Sequence, residues 1–205
     1  IAEDNLDASN HIAVWLGPGH VQTLYPGVPT CMVIDSADPE TKRFLVDRFS
    51  SELIRFYYGT DLIGNEIGGA AKNVMGIAAG MLDGMGLTQM KGPLMSRGTY
   101  EVGRLIAAMG GNEMSAYGLC HLGDYEATLF SEHSHNRKFG ELFVQGKEYD
   151  KLAEGYYTAA AMVRLAEQHH VELPITQAVY DMLYNHAEPK ETLNKLFTRQ
   201  IKPEF

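Results

Sequence analysis

One lysine, Lys72, lies in a stretch built mostly of small residues: positions 61–73 read Asp-Leu-Ile-Gly-Asn-Glu-Ile-Gly-Gly-Ala-Ala-Lys-Asn. A glycine inside a helix costs about 1 kcal/mol relative to alanine. Gly68, Gly69, Gly76 and Gly80 on one element therefore predict close approach by another helix or a ligand. At about 3.6 residues per turn, Asn65, Gly68 and Lys72 share a face. The expectation is a pocket floor free of side-chain bulk with an ammonium above it. Such an amine can give or take a proton as charge develops on an alcohol or carbonyl oxygen. That work needs burial or a neighbouring cation to lower the ordinary lysine pKa of about 10.4. The plain alternative is a tightly packed helix pair whose lysine reaches for water.

Three further groups could complete that chemistry. Asp124 is the natural carboxylate to orient the amine, or else the N-cap of a helix beginning at Tyr125. Thr128, four residues on, would share a helical face with it and could donate to a substrate. Ser134-His135-Asn136-Arg137-Lys138 gathers a hydroxyl, an imidazole, an amide and two permanent cations, a set suited to phosphate, although such strings are often solvated surface. His133 and His135, with His121, Asp124 and Glu126, admit a metal reading. Against it, His-x-His turns both rings to one side only in an extended strand, and the flanking residues predict a loop or helix start.

Two kinds of element must position these groups. Over the first sixty residues strand and helix patterns alternate: short apolar runs at His11 to Leu16, Thr30 to Asp35 and Ile54 to Tyr58, with a helix opening at Pro39 and running to about Ser50. This predicts the tail of a doubly wound sheet. From Asp61, an N-cap candidate, the pattern is helical, with breaks near Gly84-Met85-Gly86, Gly110-Gly111 and Gly140. Helices are expected at Thr158 to His169, Pro174 to Asn185 and Lys190 to Thr198. The fold class expected is mainly α: a helical substrate-binding domain over 61–205 after a remnant of an α/β domain over 1–60.

Composition narrows the function. A formal net charge of −9 over 205 residues argues against nucleic acid as the main partner, because phosphate backbones require a basic stripe. Two cysteines, Cys31 and Cys120, make no disulfide framework and suit a reducing, cytoplasmic setting. The longest small and apolar stretch, Val74 to Leu82, is far shorter than the roughly 20 residues of a membrane span. No signal peptide is recognisable. No G-x-G-x-x-G opens a helix after a strand, so the dinucleotide fingerprint is missing.

The string at 61–73 resembles the signature of bacterial-type NAD(P)-dependent glycerol-3-phosphate dehydrogenases. Further matches follow in that family's order: Gly17-Pro18 with Val28-Pro29-Thr30; Ser96-Arg97-Gly98 with Glu101; Gly118-Leu119 with Gly123-Asp124 and Thr128; Ser134-His135-Asn136 with Phe139-Gly140; Glu154-Gly155; and Leu173-Pro174-Ile175-Thr176. The resemblance implies a helical domain like the C-terminal domain of 6-phosphogluconate dehydrogenase and oxidation of sn-glycerol 3-phosphate to dihydroxyacetone phosphate with NAD or NADP. Lys72 becomes the catalytic acid and base. Gly17, Gly19, Lys72, Asn73, Asp124, Thr128, Ser134, His135 and Asn136 become substrate contacts, and Val21, His135, Leu152 and Glu154 cofactor contacts. A homodimer through the helical domain is a further expectation, with no metal, no nucleic acid and no membrane insertion. Three positions depart from the family pattern, one of them Gly19, which replaces a serine and loses its hydroxyl. His121 replaces a glycine, and His135 replaces an arginine, losing a permanent bidentate charge that Arg137 could supply instead. With Ile1 in place of a methionine, the chain reads as a piece that begins late in a cofactor domain and is inactive alone. A non-catalytic helical assembly module is the competing expectation.

Overall fold

A computed structural model describes residues 7, 10–19 and 21–204, so the outermost ends of the expected 1–60 and 61–205 units lie outside the described residues. Three short strands form one sheet in the order β1 (Val14–Leu16), β2 (Thr30–Asp35), β3 (Ile54–Tyr58). β2 and β3 run parallel, with Thr30 opposite Ile54 and Ile34 opposite Tyr58, whereas β1 is antiparallel to β2. A parallel pair needs a crossover, and α1 (Pro39–Phe49) supplies it. Asp38 caps that helix, accepting from the amides of Glu40 and Thr41, with Pro39 in the first turn. Met32, Ile34, Val46 and Phe56 form its small core.

The long helix α2 (Leu62–Gly84) follows at once. Asp61 caps it as expected, accepting from the Gly64 amide, and also binds the Asn112 amide and the Ser115 hydroxyl. Asp35, buried at the end of β2, accepts from the Asp61 amide, Asn65 Nδ2 and Lys42 Nζ. Sheet and helix are thus joined through carboxylates. Asn65 is correspondingly turned to Asp35 instead of lining a pocket with Lys72.

Around α2 pack α3 (Lys91–Ala108), α4 (His135–Val144), α5 (Glu154–Gln168) and α6 (Pro174–Tyr184), with α7 (Pro189–Phe197) against α6. A helix apolar on every side belongs in the interior. Ala71, Val74, Met75, Ile77 and Ala79 of α2 are all fully buried. Glu101 on α3 meets the Pro174-Ile175-Thr176 landmark directly: its buried carboxylate accepts the amides of Ile175 and Thr176 and the Thr176 hydroxyl, capping α6. Burial nevertheless raises the pKa of Glu101 against those bonds.

The breaks at Gly84-Met85-Gly86 and Gly110-Gly111 are present, with Gly86 and Gly110 at positive φ. The break expected at Gly140 is not: Gly140 lies inside α4, where any Cβ would overlap the Ile77 carbonyl of α2. The glycine there permits a helix crossing. α5 begins a turn before the expected Thr158, because Asn136 Oδ1 accepts the Gly155 amide and fixes the first turn. Among the described residues no helix is long and apolar enough to cross a membrane.

Candidate active site

Lys72 leaves α2 in its third turn and its Nζ donates to Asp124 Oδ2. The lysine side chain keeps 21% of its surface and the aspartate only 4%, so the ammonium is reachable while the carboxylate that holds it is enclosed. Asp124 closes a 3-10 turn, Leu122–Asp124, that is followed by a five-residue π turn, Glu126–Phe130. The regular helix expected from Tyr125 is therefore replaced by a wider turn, and the carboxylate is aimed at Lys72. π turns of this kind are rare and often found at functional sites. Within it Thr128 is buried, its methyl placed with Asn136 Cβ over Gly76 of α2.

The floor expected beneath the amine is filled. A Cβ on Gly68 would stand 2.7 Å from Cys120 Sγ and 3.3 Å from His121 Cβ, and one on Gly69 would stand 2.8 Å from a Leu16 methyl. The small residues thus admit neighbouring chain, not open space. Leu16 in this position brings the Gly17–Gly19 loop beside α2. Gly17 needs its residue type, since its φ is +132° and β2 lies directly against it. Gly19 faces the end of the Met32 side chain.

Next to Lys72, Asn73 joins a closed amide network. Its Oδ1 accepts from Asn136 Nδ2 at 3.0 Å and its Nδ2 donates to Glu154 Oε2 at 3.3 Å, while Asn136 Oδ1 takes the Gly155 amide at 2.9 Å. Glu154 sits in the first turn of α5, where the helix dipole favours a carboxylate. Ser134 caps α4, accepting the Arg137 amide at 3.3 Å. His135, exposed at the start of α4, sets Nδ1 2.6 Å from the Tyr149 hydroxyl. Val21 and Leu152 stand exposed.

Arg137 is engaged inside the protein, half-buried and paired with a carboxylate. Its Nε donates to Asp83 at 2.6 Å, and buried Lys91 donates to the same Asp83 oxygen at 2.7 Å and to the Leu129 carbonyl at 2.8 Å. Burial alone would push the Asp83 carboxyl up, but hydrogen bonds from Lys91, Thr88 and Arg137 hold it below the usual range. Lys138 pairs with Glu141.

The residues of the metal reading are not gathered at one point. His121 uses both ring nitrogens within the protein, on the Gly68 carbonyl at 2.9 Å and the Tyr125 hydroxyl at 2.6 Å. Among the described residues no group of three or more His, Cys, Asp or Glu side chains comes together. Tyr149 and Asp83, the partners of His135 and Arg137, were not assigned from sequence, and His121 entered only as a candidate metal ligand and a departure from the family pattern. Only His121 carried a signal, as bulk where the family pattern has glycine. Cavity size is no guide here: a groove of about 770 Å³ among α3, α6 and α7 is lined without Lys72 or Asp124.

Comparison with known proteins places the fold in a family. The family described as NAD-dependent glycerol-3-phosphate dehydrogenase C-terminus matches residues 61–194. The chain belongs to this family. A glycerol-3-phosphate dehydrogenase (NAD(P)+) of Prosthecochloris aestuarii is 37% identical over 202 residues, covering 95% of this chain and 61% of the relative. One of Francisella tularensis subsp. tularensis is 38% identical over 212 residues, covering 100% of this chain and 64% of the relative. The crystal structure of glycerol-3-phosphate dehydrogenase from Coxiella burnetii superposes with a TM-score of 0.84 at 30% identity, over 91% of this chain and 60% of that one. The Plasmodium falciparum glycerol-3-phosphate dehydrogenase shares the fold, with a TM-score of 0.83 at 16% identity. The chain thus spans a little over three fifths of the curated relatives it matches.

Proposed function

We propose that this chain provides the substrate-binding and proton-transfer portion of a dehydrogenase that interconverts sn-glycerol 3-phosphate and dihydroxyacetone phosphate with NAD(P). On this reading residues 1–60 belong to the cofactor domain and 61–205 form the catalytic helical domain. The Lys72–Asp124 pair carries the proposal: a reachable ammonium held by an enclosed carboxylate, beside a network of amides. In the reductive direction Lys72 Nζ gives a proton to the substrate carbonyl oxygen as that oxygen gains charge. In the oxidative direction it takes the proton of the secondary hydroxyl. Asp124 keeps the lysine aimed, and Asn73 and Thr128 contact the polyol end. Ser134, His135 and Asn136, with the α4 N-terminus, face the phosphate, which suits the partial positive charge there. Gly17 and Gly19 let backbone approach the substrate.

The groups present fit one edge of a dinucleotide. His135 and Glu154 offer polar contacts beside the amide network, and Val21 and Leu152 offer apolar ones. The glycine-lined turn that holds a pyrophosphate has no counterpart among the described residues, where β1 leads only into a single helical turn, Val21–Leu24. When bound, the cofactor accepts or returns the hydride. The two free thiols suit a cytoplasmic setting, and a homodimer through the helical domain is testable by sedimentation.

The test joins this chain to the nucleotide-binding portion of the Coxiella burnetii relative and follows NAD(P)H oxidation with dihydroxyacetone phosphate. Lys72→Met should lower kcat by at least about 10²-fold. Retained kcat with a raised KM would make Lys72 a binding cation only. No turnover by the chimera carrying the native chain, shown by calorimetry to bind cofactor and substrate, would favour the non-catalytic assembly role.

A further inference from the structure

We infer that His121 is a positioning residue that holds Lys72 and Asp124 in register, acting as a neutral two-ended link. This rests on the reading of Lys72 and Asp124 as the proton-transfer pair. A backbone carbonyl only accepts, so the 2.9 Å contact of His121 Nδ1 with the Gly68 oxygen assigns the proton to Nδ1. Nε2 then carries the lone pair and accepts the Tyr125 hydroxyl at 2.6 Å. The ring is fully buried and lies edge-on to Tyr125, with centroids 4.8 Å apart.

Each end of this link reaches the segment that carries one partner of the pair. Gly68 lies four residues before Lys72, so its carbonyl is the helical acceptor for the Lys72 amide. The imidazole pins the turn from which the lysine departs. On the other side, the His121 carbonyl accepts the Asp124 amide at 3.0 Å, and Tyr125 directly follows Asp124. One residue therefore grips α2 through its ring and the aspartate turn through its ring and backbone. Gly68 leaves room for this approach, since a Cβ there would stand 3.3 Å from His121 Cβ and 2.7 Å from Cys120 Sγ. A glycine at position 121 would have no ring to make either contact.

Neutrality is part of the device. A protonated ring would bury a second cation beside Lys72 and would turn an N–H, in place of a lone pair, toward the Tyr125 hydroxyl. Burial pushes His121 down to about 4, and the Lys72 charge acts in the same direction, against the Gly68 carbonyl.

The experiment compares His121→Asn, which retains a donor at the Nδ1 position, with His121→Leu, which retains bulk without a donor. Both are made in the chimera, with Lys72→Met and thermal midpoints measured alongside. Leu should lower kcat by about 10- to 100-fold with KM for dihydroxyacetone phosphate little changed, as expected for a small misplacement of the reacting group, and Asn should recover most of the loss. Equal loss in both variants, in step with their thermal midpoints, or unchanged kcat in Leu, overturns the inference. If Lys72→Met itself leaves kcat intact, the reading of the pair fails first and His121 has nothing to position. A second measurement needs neither turnover nor a folded variant. The imidazole 15N spectrum of the 205-residue chain should show His121 with a protonated Nδ1 and a lone-pair Nε2 from pH 5 to 8. The opposite tautomer, or a titration near 6.5, overturns the assignment.

Discussion

The two halves of α2 use glycine for different ends. In the N-terminal half the space left by Gly64, Gly68 and Gly69 is taken by side chains: Asp61 and Ser115, Cys120 and His121, and Leu16. In the C-terminal half the neighbour is mainly backbone, with a Val144 methyl also over Gly84. Arg137 and Glu141 of α4 pass directly over Gly80 and Gly84, and Gly140 of α4 sits on the Ile77 carbonyl in return. Side chains brought close can carry chemistry, and the first half accordingly bears Lys72. Backbone brought close fixes distance, and the second half accordingly sets the start of α4 relative to the π turn, with Thr128 and Asn136 meeting over Gly76 between the halves. One residue type serves both uses, so the glycines alone do not tell the halves apart.

The largest effect is expected where the backbone crossing is locked by charge. Asp83→Ala leaves buried Lys91 and half-buried Arg137 without their shared carboxylate. Breaking a buried pair from one side costs about 3–5 kcal/mol, read as a fall in the urea midpoint at unchanged slope. Gly80→Ala should follow, costing up to about 3 kcal/mol, because its methyl meets the Arg137 carbonyl, which has no rotamer to yield. If Gly80→Ala proves neutral while Asp83→Ala does not, charge and not backbone contact holds the second half of α2 to α4.

The first half should reveal itself through pH. His121 has a pKa of about 4 in the folded chain against 6.5 for the free side chain. The unfolded chain therefore binds this proton more readily, and the stabilisation is complete above about 6.5 and lost as pH falls toward 4. A shift of this size amounts to roughly 3 kcal/mol at full loss. Glu101 acts in the opposite sense, since its raised pKa makes its burial costly at neutral pH and cheaper in acid. The difference between wild type and His121→Asn removes that contribution. Wild type should lose its margin over the variant between pH 6.5 and 4, and parallel curves would show that the ring is not held neutral by the fold. Asp83 and Asp61, both with lowered pKa values, enter only below about 3.8.

What the sequence made legible follows the same division. Strand and helix signals located β2, β3, α1 and the start of α2 because apolar period and capping are local. The Lys72–Asp124 pair was legible as a spacing of motifs, although the turn that aims Asp124 was not, since a π turn has no residue signature. Gly140 was misread as a break because its cause is Ile77, more than sixty residues away in the chain. The engagement of Arg137 with a carboxylate was hidden for the same reason. Its partner Asp83 sits at the far end of another helix, and nothing local announces the pairing.

The smallest predicted effect separates contact from conformation. Gly92 lies in the first turn of α3, exposed, with nothing near the position of a Cβ. Gly92→Ala should therefore stabilise the chain by about 0.5–1 kcal/mol, through the unfolded state and helix propensity alone. Gly110 is just as open but has φ +88° after the end of α3. Gly110→Ala should destabilise by about 1 kcal/mol, because an L side chain is strained there. Gly80 shares the helical backbone of Gly92 but is buried, with the Arg137 carbonyl above it. If Gly92→Ala raises the midpoint while Gly110→Ala and Gly80→Ala lower it, the cost at Gly80 is the crossing with α4. If Gly92→Ala lowers it as well, the glycines of this chain resist replacement for a reason other than space or φ, and the contrast between the halves of α2 loses its footing.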